Sequence, residues 1–158
     1  MVTKLKFKGE KRKRRKKTEG EGEKEGASHQ GRIDDEGWVT AESLEDISTG
    51  PLFITFGSSP AIALAIDTLG RVTASPLKLS NDEDFADAAP DDVRQVWVAT
   101  RLSESSKISL KTATGKLLSC DKVGILTASK EAIGPQEEWQ LIQRPDGWAF
   151  QNVYEKFM

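Results

Sequence analysis

The chain has 158 residues, 37% of them hydrophobic, which supports one folded domain and little more. No stretch approaches the roughly 18 consecutive apolar residues of a membrane-spanning helix, and the basic N-terminus lacks the apolar run of a secretory signal. One cysteine, Cys120, excludes an internal disulfide and a cysteine-based zinc site, which favours a reducing compartment. The net charge of -2 is divided unevenly: residues 1–25 hold eleven Lys and Arg against five Glu, and residues 26–158 hold twelve against twenty acidic residues.

The first 31 residues are predicted to form a disordered basic tail, followed by a folded body over residues 32–158. After Phe7 this part of the chain has almost no aromatic or branched residues, so it buries too little apolar surface to offset the entropy of ordering. The stretch EGEGEKEG favours a solvated linker. We therefore expect Gly9–Gly31 to be disordered.

Seven consecutive basic residues stand out in this tail. Such a run is typical of a nuclear import signal, and it also suits phosphate contacts that release counterions. The alternative is a charge run that only increases solubility. Mutual repulsion among seven uninterrupted positive charges favours a polyanion or import-receptor role. The residues are Lys11, Arg12, Lys13, Arg14, Arg15, Lys16 and Lys17.

From Trp38 onward, short runs of strand composition alternate with turn residues. The runs are rich in Val, Ile, Leu, Thr and aromatic residues, and none shows a convincing helical spacing of apolar residues. Connectors such as Asp67–Gly70, Thr114–Gly115, Asp121–Gly124 and Pro145–Gly147 have the composition of tight turns. The body is predicted to be all-β and built from hairpins.

An internal repeat predicts how the hairpins are arranged. Residues 54–75 and 108–129 align without a gap and are identical at seven positions, including Asp67/Asp121 and the closing Thr-Ala-Ser. A third copy begins at Trp148 and reaches Met158, opposite Leu118. We therefore predict a β-trefoil with units of about 37–101, 102–144 and 145–158, the third incomplete.

Two tryptophans come near the ends of the first two units. Trp97 lies in QVW, which matches the Gln-x-Trp signature of lectin-type trefoils, whereas Trp139 lies in EEW. Lectins of that kind are usually secreted and disulfide-bonded. We interpret both tryptophans as buried packing residues.

Several stretches resemble one known family. These are TKLKFKG, the basic block, GWVTAESLEDISTGPLFITF and above all GKLLSCDKVGILTASKEAIGPQEEW. The chain is similar over nearly its whole length to the facioscapulohumeral muscular dystrophy region gene one protein family. The resemblance implies a fascin-like β-trefoil in the nucleus and nucleolus, associated with the spliceosome and RNA processing, with RNA binding and F-actin bundling in the family. It also implies a lysine-rich C-terminal extension, which this chain lacks.

A weaker group of basic residues lies in the body. Lys107 and Lys111 are expected to share one face of the strand KISLK, opposite Ile108 and Leu110. That face is suited to RNA or actin, and equally to being the wet side of a half-buried hairpin. The candidate surface contacts are Lys107, Lys111, Lys116 and Lys122, with Arg101 and Lys130 nearby.

The sequence gives little support to catalysis, a metal or a cofactor. The one histidine, His29, lies in the linker, and Cys120 is predicted to be a small buried apolar residue. Acidic residues between Asp82 and Asp92 lack the spacing of a calcium loop. We expect no enzymatic activity.

Two functions from different classes follow. The first is a nuclear protein of pre-mRNA splicing or RNA processing, which binds RNA, ribonucleoprotein components and an import receptor. The alternative is an F-actin binding and bundling protein.

Overall fold

The computed structural model describes residues 3–8, 37–47, 49–79, 85, 88–103 and 105–158. Within these ranges it contains eleven β-strands, three short 3-10 helices and no α-helix, which confirms the all-β prediction. No helix in the described ranges is long and apolar enough to cross a membrane. The strands are β1 Thr3–Lys8, β2 Trp38–Thr40, β3 Thr49–Phe56, β4 Ile62–Ile66, β5 Val72–Pro76, β6 Val96–Arg101, β7 Lys107–Lys111, β8 Leu117–Cys120, β9 Leu126–Lys130, β10 Trp139–Arg144 and β11 Gly147–Gln151; the 3-10 helices are Leu44–Ile47, Val93–Gln95 and Pro135–Glu137.

Six of the strands pair in a closed ring. The order around the ring is β1, β3, β6, β7, β10 and β11, and β11 returns to β1. Every pair is antiparallel. The hairpins β4–β5 and β8–β9 extend from this ring. A six-stranded ring that carries repeated hairpins is consistent with the predicted β-trefoil.

Strand β1 corrects the predicted boundary of the disordered tail. Residues 3–8 were assigned to that tail, but they form a strand between β11 and β3. Leu5 is completely buried, and its pairing with Ile54 places it in the core. The physical reason is that β1 is buried on both faces, with Leu5 in the core on one side and Lys6 beneath the carbonyl of Ala88 on the other. Residues 9–31, including the basic block, lie outside the described residues.

The two copies of the repeat form the same turn. The Asp67 carboxylate accepts hydrogen bonds from the backbone N–H groups of Leu69 and Arg71. In the second copy, the Asp121 carboxylate accepts from Val123, Gly124 and Ile125. The glycine three residues after each Asp has a positive φ, 77° at Gly70 and 103° at Gly124, which a side chain would strain. The Asp-x-x-Gly spacing therefore encodes this turn, as the sequence predicted.

The third copy follows the second as far as it extends. After β11, the Asn152 side chain accepts hydrogen bonds from the N–H groups of Tyr154 and Lys156. Gln151 then forms a bridge with Phe157. The aligned turn of the second copy has the same form, because Thr112 Oγ1 accepts from the N–H of Lys116.

Trp97 and Trp139 are fully buried, which confirms their interpretation as packing residues. Each indole N–H donates to a backbone carbonyl of the preceding hairpin: Trp97 in β6 to Leu64 in β4 at 2.9 Å, and Trp139 in β10 to Leu118 in β8 at 3.1 Å. The ring of Trp139 also meets Phe150 edge-on, with centroids 6.5 Å apart. Each tryptophan thus fastens a hairpin to the barrel and satisfies a buried carbonyl.

Candidate nucleic-acid interface

The basic segment is attached to the barrel at both ends. The chain leaves β1 at Lys8 and returns at Trp38, and these two residues are direct antiparallel partners. The seven basic residues Lys11–Lys17 lie outside the described residues, but Lys11 follows Lys8 by three positions. Three residues span at most about 10 Å. The segment that contains the block therefore begins and ends at the same place on the barrel.

Lys6 anchors β1 beneath a neighbouring segment. Its side chain is only 1% exposed, and its ammonium group donates a hydrogen bond of 2.9 Å to the carbonyl of Ala88. Nearby, Ala88 packs with Phe53 in a small apolar cluster, against which Trp38 also packs. The rings of Trp38 and Phe53 are 6.0 Å apart. Both strands that lead to the basic segment are therefore fixed by packing on the outside of the barrel.

Ion pairs compensate several candidate lysines of the body. Lys107 lies 3.0 Å from the carboxylate of Glu138, and Lys116 lies 2.5 Å from that of Glu131. These pairs are solvent-exposed, so they contribute little to stability, but they reduce the local positive potential. The nearby Lys130 is likewise paired, 3.3 Å from Glu137.

Lys111 and Lys122 are the two candidate lysines that are exposed and have no ion-pair partner among the described residues. Lys111 pairs across strands with Val98, which pairs in turn with Pro51. Because β7 is three strands from β1 in either direction around the six-stranded ring, Lys111 lies on the opposite side of the barrel from that strand. Lys122 lies elsewhere, in the β8–β9 turn. The structure does not gather the four lysines into one basic patch.

The predicted solvent-facing side of β7 is not continuously exposed. Lys107 and Lys111 are exposed, and Ile108 and Leu110 are buried, as the alternation predicted. Ser109 lies between the lysines and is also buried. The lysines therefore occupy the two ends of the strand and do not form a continuous polar stripe.

Glu137 and Gln95 occupy matching places, two residues before Trp139 and Trp97, and both are buried. Glu137 accepts hydrogen bonds from the Ser119 hydroxyl and the Gly134 N–H. Burial raises the pKa of Glu137, but the bonds from Ser119, Lys130 and Gly134 together bring the pKa below its ordinary value. The carboxylate is consequently a buried anion with a polar partner at each of its two oxygens.

Gln95 has the same structural role in the first copy. Its side chain accepts from the N–H of Asp91 and donates to the hydroxyl of Ser75. A glutamine enclosed in this way has no free polar atom for a sugar. The match to the lectin signature therefore reflects how the tryptophan is supported.

Cys120 is buried, in agreement with its interpretation as a small core residue. The side-chain amide of Asn152 donates to its sulfur at 3.0 Å. Among the described residues, no three His, Cys, Asp or Glu side chains come together in a way that could hold a metal ion. His29 lies outside these residues.

The sequence interpretation missed β1 and the anchoring role of Lys6. The signal was present, since Leu5 and Phe7 alternate with Lys4, Lys6 and Lys8. Without β1, one side of β3 would have no partner strand in the ring. This need for a further strand becomes apparent only when the strands are placed in three dimensions.

Two comparisons with known proteins bear on these features. A family model described as "FRG1-like domain" matches residues 74–158, more than half of the chain. "Protein frg1" from Schizosaccharomyces pombe is 29% identical to the chain over 157 residues, which is 99% of this chain and 61% of that protein. The chain thus spans about three fifths of the length of this relative.

Proposed function

The chain belongs to the FRG1-like domain family, and on that premise we propose that it is a non-enzymatic nuclear protein that binds RNA and takes part in pre-mRNA splicing or RNA processing. One structural observation carries the proposal. The β1–β2 pairing holds both ends of the basic segment on the barrel, so a concentrated positive charge is presented from a rigid support. The resemblance to the facioscapulohumeral muscular dystrophy region gene one protein family supports the nuclear location and the role in RNA processing.

The basic segment provides most of the attraction. Contacts from Lys11–Lys17 to phosphates release condensed counterions, which gives sequence-independent and salt-sensitive binding. For single-stranded RNA, seven contacts correspond to a slope of log K against log salt of roughly -5. Because the segment is anchored at Lys8 and Trp38, RNA bound there lies against the barrel.

Lys111 adds a second contact on the barrel. It is exposed and is uncompensated by the described acidic residues, and β7 lies opposite β1 in the ring. RNA that contacts both the basic segment and Lys111 therefore passes around one side of the barrel. Lys107 and Lys116 are poorer candidates because a carboxylate already faces each of them.

The same basic block serves nuclear import. An import receptor that binds Lys11–Lys17 as an extended peptide excludes RNA from these residues, so the two partners act in turn. Release from the receptor in the nucleus then exposes the block to RNA. We place the protein in the nucleus and nucleolus, with spliceosomal or other ribonucleoprotein components as partners.

The test is a comparison of the intact protein with a variant in which Lys11–Lys17 are changed to serine. Crosslinking to RNA in cells and microscopy are both scored. The variant is expected to lose most RNA crosslinks and its nuclear accumulation. A variant that remains nuclear and fully crosslinked contradicts the role of the block.

Lys111→Ser and Lys116→Ser form a matched pair for binding measurements on a uridine 12-mer. Both lysines are near the same hairpin, but only Lys116 has an ion pair. We expect Lys111→Ser to weaken binding about threefold, as for the loss of one phosphate contact, and Lys116→Ser to have little effect. Equal effects would remove Lys111 from the interface.

F-actin is the competing partner, and co-sedimentation separates it from RNA. We expect any filament binding to disappear when Lys11–Lys17 are replaced, because the block holds the most concentrated positive charge of the chain and carboxylates pair with Lys107 and Lys116 of the barrel. Bundling by a variant without the block would instead favour the actin function.

A further inference from the structure

Trp38 differs from the other three tryptophans of the chain. Those three have exposed fractions of 3% or less, and each donates its indole N–H to a backbone carbonyl; they are Trp97, Trp139 and Trp148. Trp38 is partly exposed, and its indole N–H has no hydrogen-bond partner among the described residues. A tryptophan with an accessible ring and a free donor is typical of a binding surface.

Trp38 lies where the basic segment rejoins the barrel. Its direct partner in the β1–β2 pair is Lys8, the last residue of β1. The residues between these two positions include Lys11–Lys17, so the cationic segment begins and ends at the pair that contains this ring. A polyanion drawn to the segment is therefore brought to Trp38.

A small apolar cluster on the outside of the barrel fixes the position of Trp38. Its ring packs on that of Phe53, with centroids 6.0 Å apart and planes inclined by 59°. Phe53 is fully buried, and Leu77, Leu79 and Phe85 pack against the same cluster. A ring that is already held by packing loses little conformational entropy when a ligand covers the remainder.

Strand β2 also has an open edge, because β1 is its one partner strand among the described residues. Ala41, which follows β2, donates its backbone N–H to the carbonyl of Leu5 at 2.8 Å. Hydrogen-bonded positions alternate along an antiparallel pair, so the backbone groups of Trp38 and Thr40 face the open edge. Trp38 therefore offers a ring, an indole N–H and a backbone N–H to a ligand.

Acidic residues accompany the apolar cluster in the sequence and decide which part of a nucleic acid fits there. Asp84 precedes Phe85, and Asp87 precedes Ala88, which is buried in the cluster. Each is one peptide unit from a residue of the cluster, so a phosphate group beside Trp38 is disfavoured. A base is uncharged, and any base can stack on an aromatic ring.

We propose that Trp38 stacks a base of single-stranded RNA whose phosphates contact the basic segment. The inference rests on the proposed function and assigns it a base contact. A cationic segment that follows the backbone, together with an aromatic ring for the bases, is the combination that binds single strands without reading their sequence. The ring and the charges meet through the pairing of Trp38 with Lys8.

The two kinds of contact respond differently to salt, which makes the proposal testable. Binding of a fluorescent uridine 12-mer to the intact chain is measured at several salt concentrations. Trp38→Ala is expected to bind about 10- to 100-fold more weakly at every salt concentration. The slope of log K against log salt should be unchanged, because phosphate contacts set it. The Lys11–Lys17 serine variant is expected to have a shallower slope.

Tryptophan fluorescence measures the contact directly, because a base stacked on an indole quenches its emission. Addition of the unlabelled 12-mer is expected to quench part of the emission of the original chain. The three buried tryptophans remain in Trp38→Phe, and the quenching is expected to be absent from this variant.

Two control variants separate the ring from the packing around it. Trp38→Phe keeps an aromatic ring without the indole N–H, and it is expected to bind within about threefold of the original chain. Leu79→Ala removes apolar contact from the same cluster and is expected to bind like the original chain. Circular dichroism checks that each variant keeps its fold.

The outcomes separate this proposal from the proposed function. If Trp38→Ala binds like the original chain and RNA quenches no emission, Trp38 is not a base contact, and RNA binding through Lys11–Lys17 stands. Equal weakening by Leu79→Ala also overturns the proposal, since the loss then follows from the loosened cluster. If the original chain does not bind the 12-mer at low salt, the proposed function and the base contact both fail.

Discussion

The two complete copies of the repeat are alike on the inside and different on the outside. Asp67 and Asp121 organise their turns in the same way. The Arg71 side chain then pairs with Asp67 at 2.7 Å, whereas Ile125 occupies the matching position in the second copy and is exposed. The comparison shows that the repeat preserves backbone hydrogen bonding, while outward positions are free to change. Differences in recognition are therefore expected at those outward positions.

Replacing either of the two buried tryptophans is expected to have the largest effect on stability, and it tests whether the two copies are equivalent. Trp97→Ala and Trp139→Ala should each reduce the free energy of unfolding by about 3–5 kcal/mol, because each removes a buried ring and leaves a buried carbonyl unpaired. Urea unfolding followed by circular dichroism measures both. Trp→Phe variants provide smaller changes if either alanine variant fails to fold. A strong difference between the two sites would show that the copies are not equivalent in the core.

Glu137 and Gln95 sharpen the comparison, because one copy uses a charged group where the other uses a neutral one. Glu137→Gln should cost about 1–3 kcal/mol at pH 7, since an amide cannot replace all the acceptor positions of the carboxylate. The folded-state pKa of Glu137 is below its ordinary value of 4.5, so its contribution is present above that pH and is lost as the pH falls through the lower folded-state pKa. The difference between original and variant should therefore shrink in acid. A difference that is constant from pH 7 to pH 3 would contradict this account.

Gly70→Ala and Gly124→Ala test the turns themselves. Both glycines have positive φ, and a Cβ on either would meet no hard contact, so backbone strain alone sets the cost. We expect each to lose about 1–2 kcal/mol of unfolding free energy, and by similar amounts. Thermal unfolding of both variants measures this loss of stability. An unaffected Gly124→Ala would mean that the second turn tolerates another backbone conformation.

The smallest effect is expected in the third copy and has the opposite sign. Glu155 has a φ of 59°. The matching residue in the second copy is Gly115, which has a φ of 83°. Glu155→Gly should stabilise the protein by roughly 0.5–1 kcal/mol by relieving this strain. A Glu155→Ala control, which removes the charge but keeps a Cβ, separates the effect of lost charge. Destabilisation would show that the Glu155 side chain has a structural role.

Much of the fold follows from local rules that the sequence displays. The Asp-x-x-Gly turns, the alternating strands and the buried tryptophans each depend on a few adjacent residues, and the repeat relates them to one another. Strand β1 was not predicted, because its formation depends on partners that are about 50 and 145 positions away in the chain. Alternation in a lysine-rich segment is a weak signal until a partner strand is known.

The candidate site was less predictable than the fold. The basic block is visible as composition alone, but its attachment at two points depends on the pairing of Lys8 with Trp38. Compensation of Lys107 by Glu138 and of Lys116 by Glu131 depends on contacts between side chains 31 and 15 positions apart, respectively.

The ring of strands is joined where the first strand meets the last. In the described residues, β1 and β11 share one aligned pair, Thr3 with Trp148, whereas β10 and β11 share five. Local opening of a barrel starts where the fewest backbone hydrogen bonds hold it. Opening at Thr3 leaves the five pairs between β1 and β3 and the three pairs between β1 and β2 in place, so the barrel can loosen at this seam without releasing the strand from which the cationic segment leads.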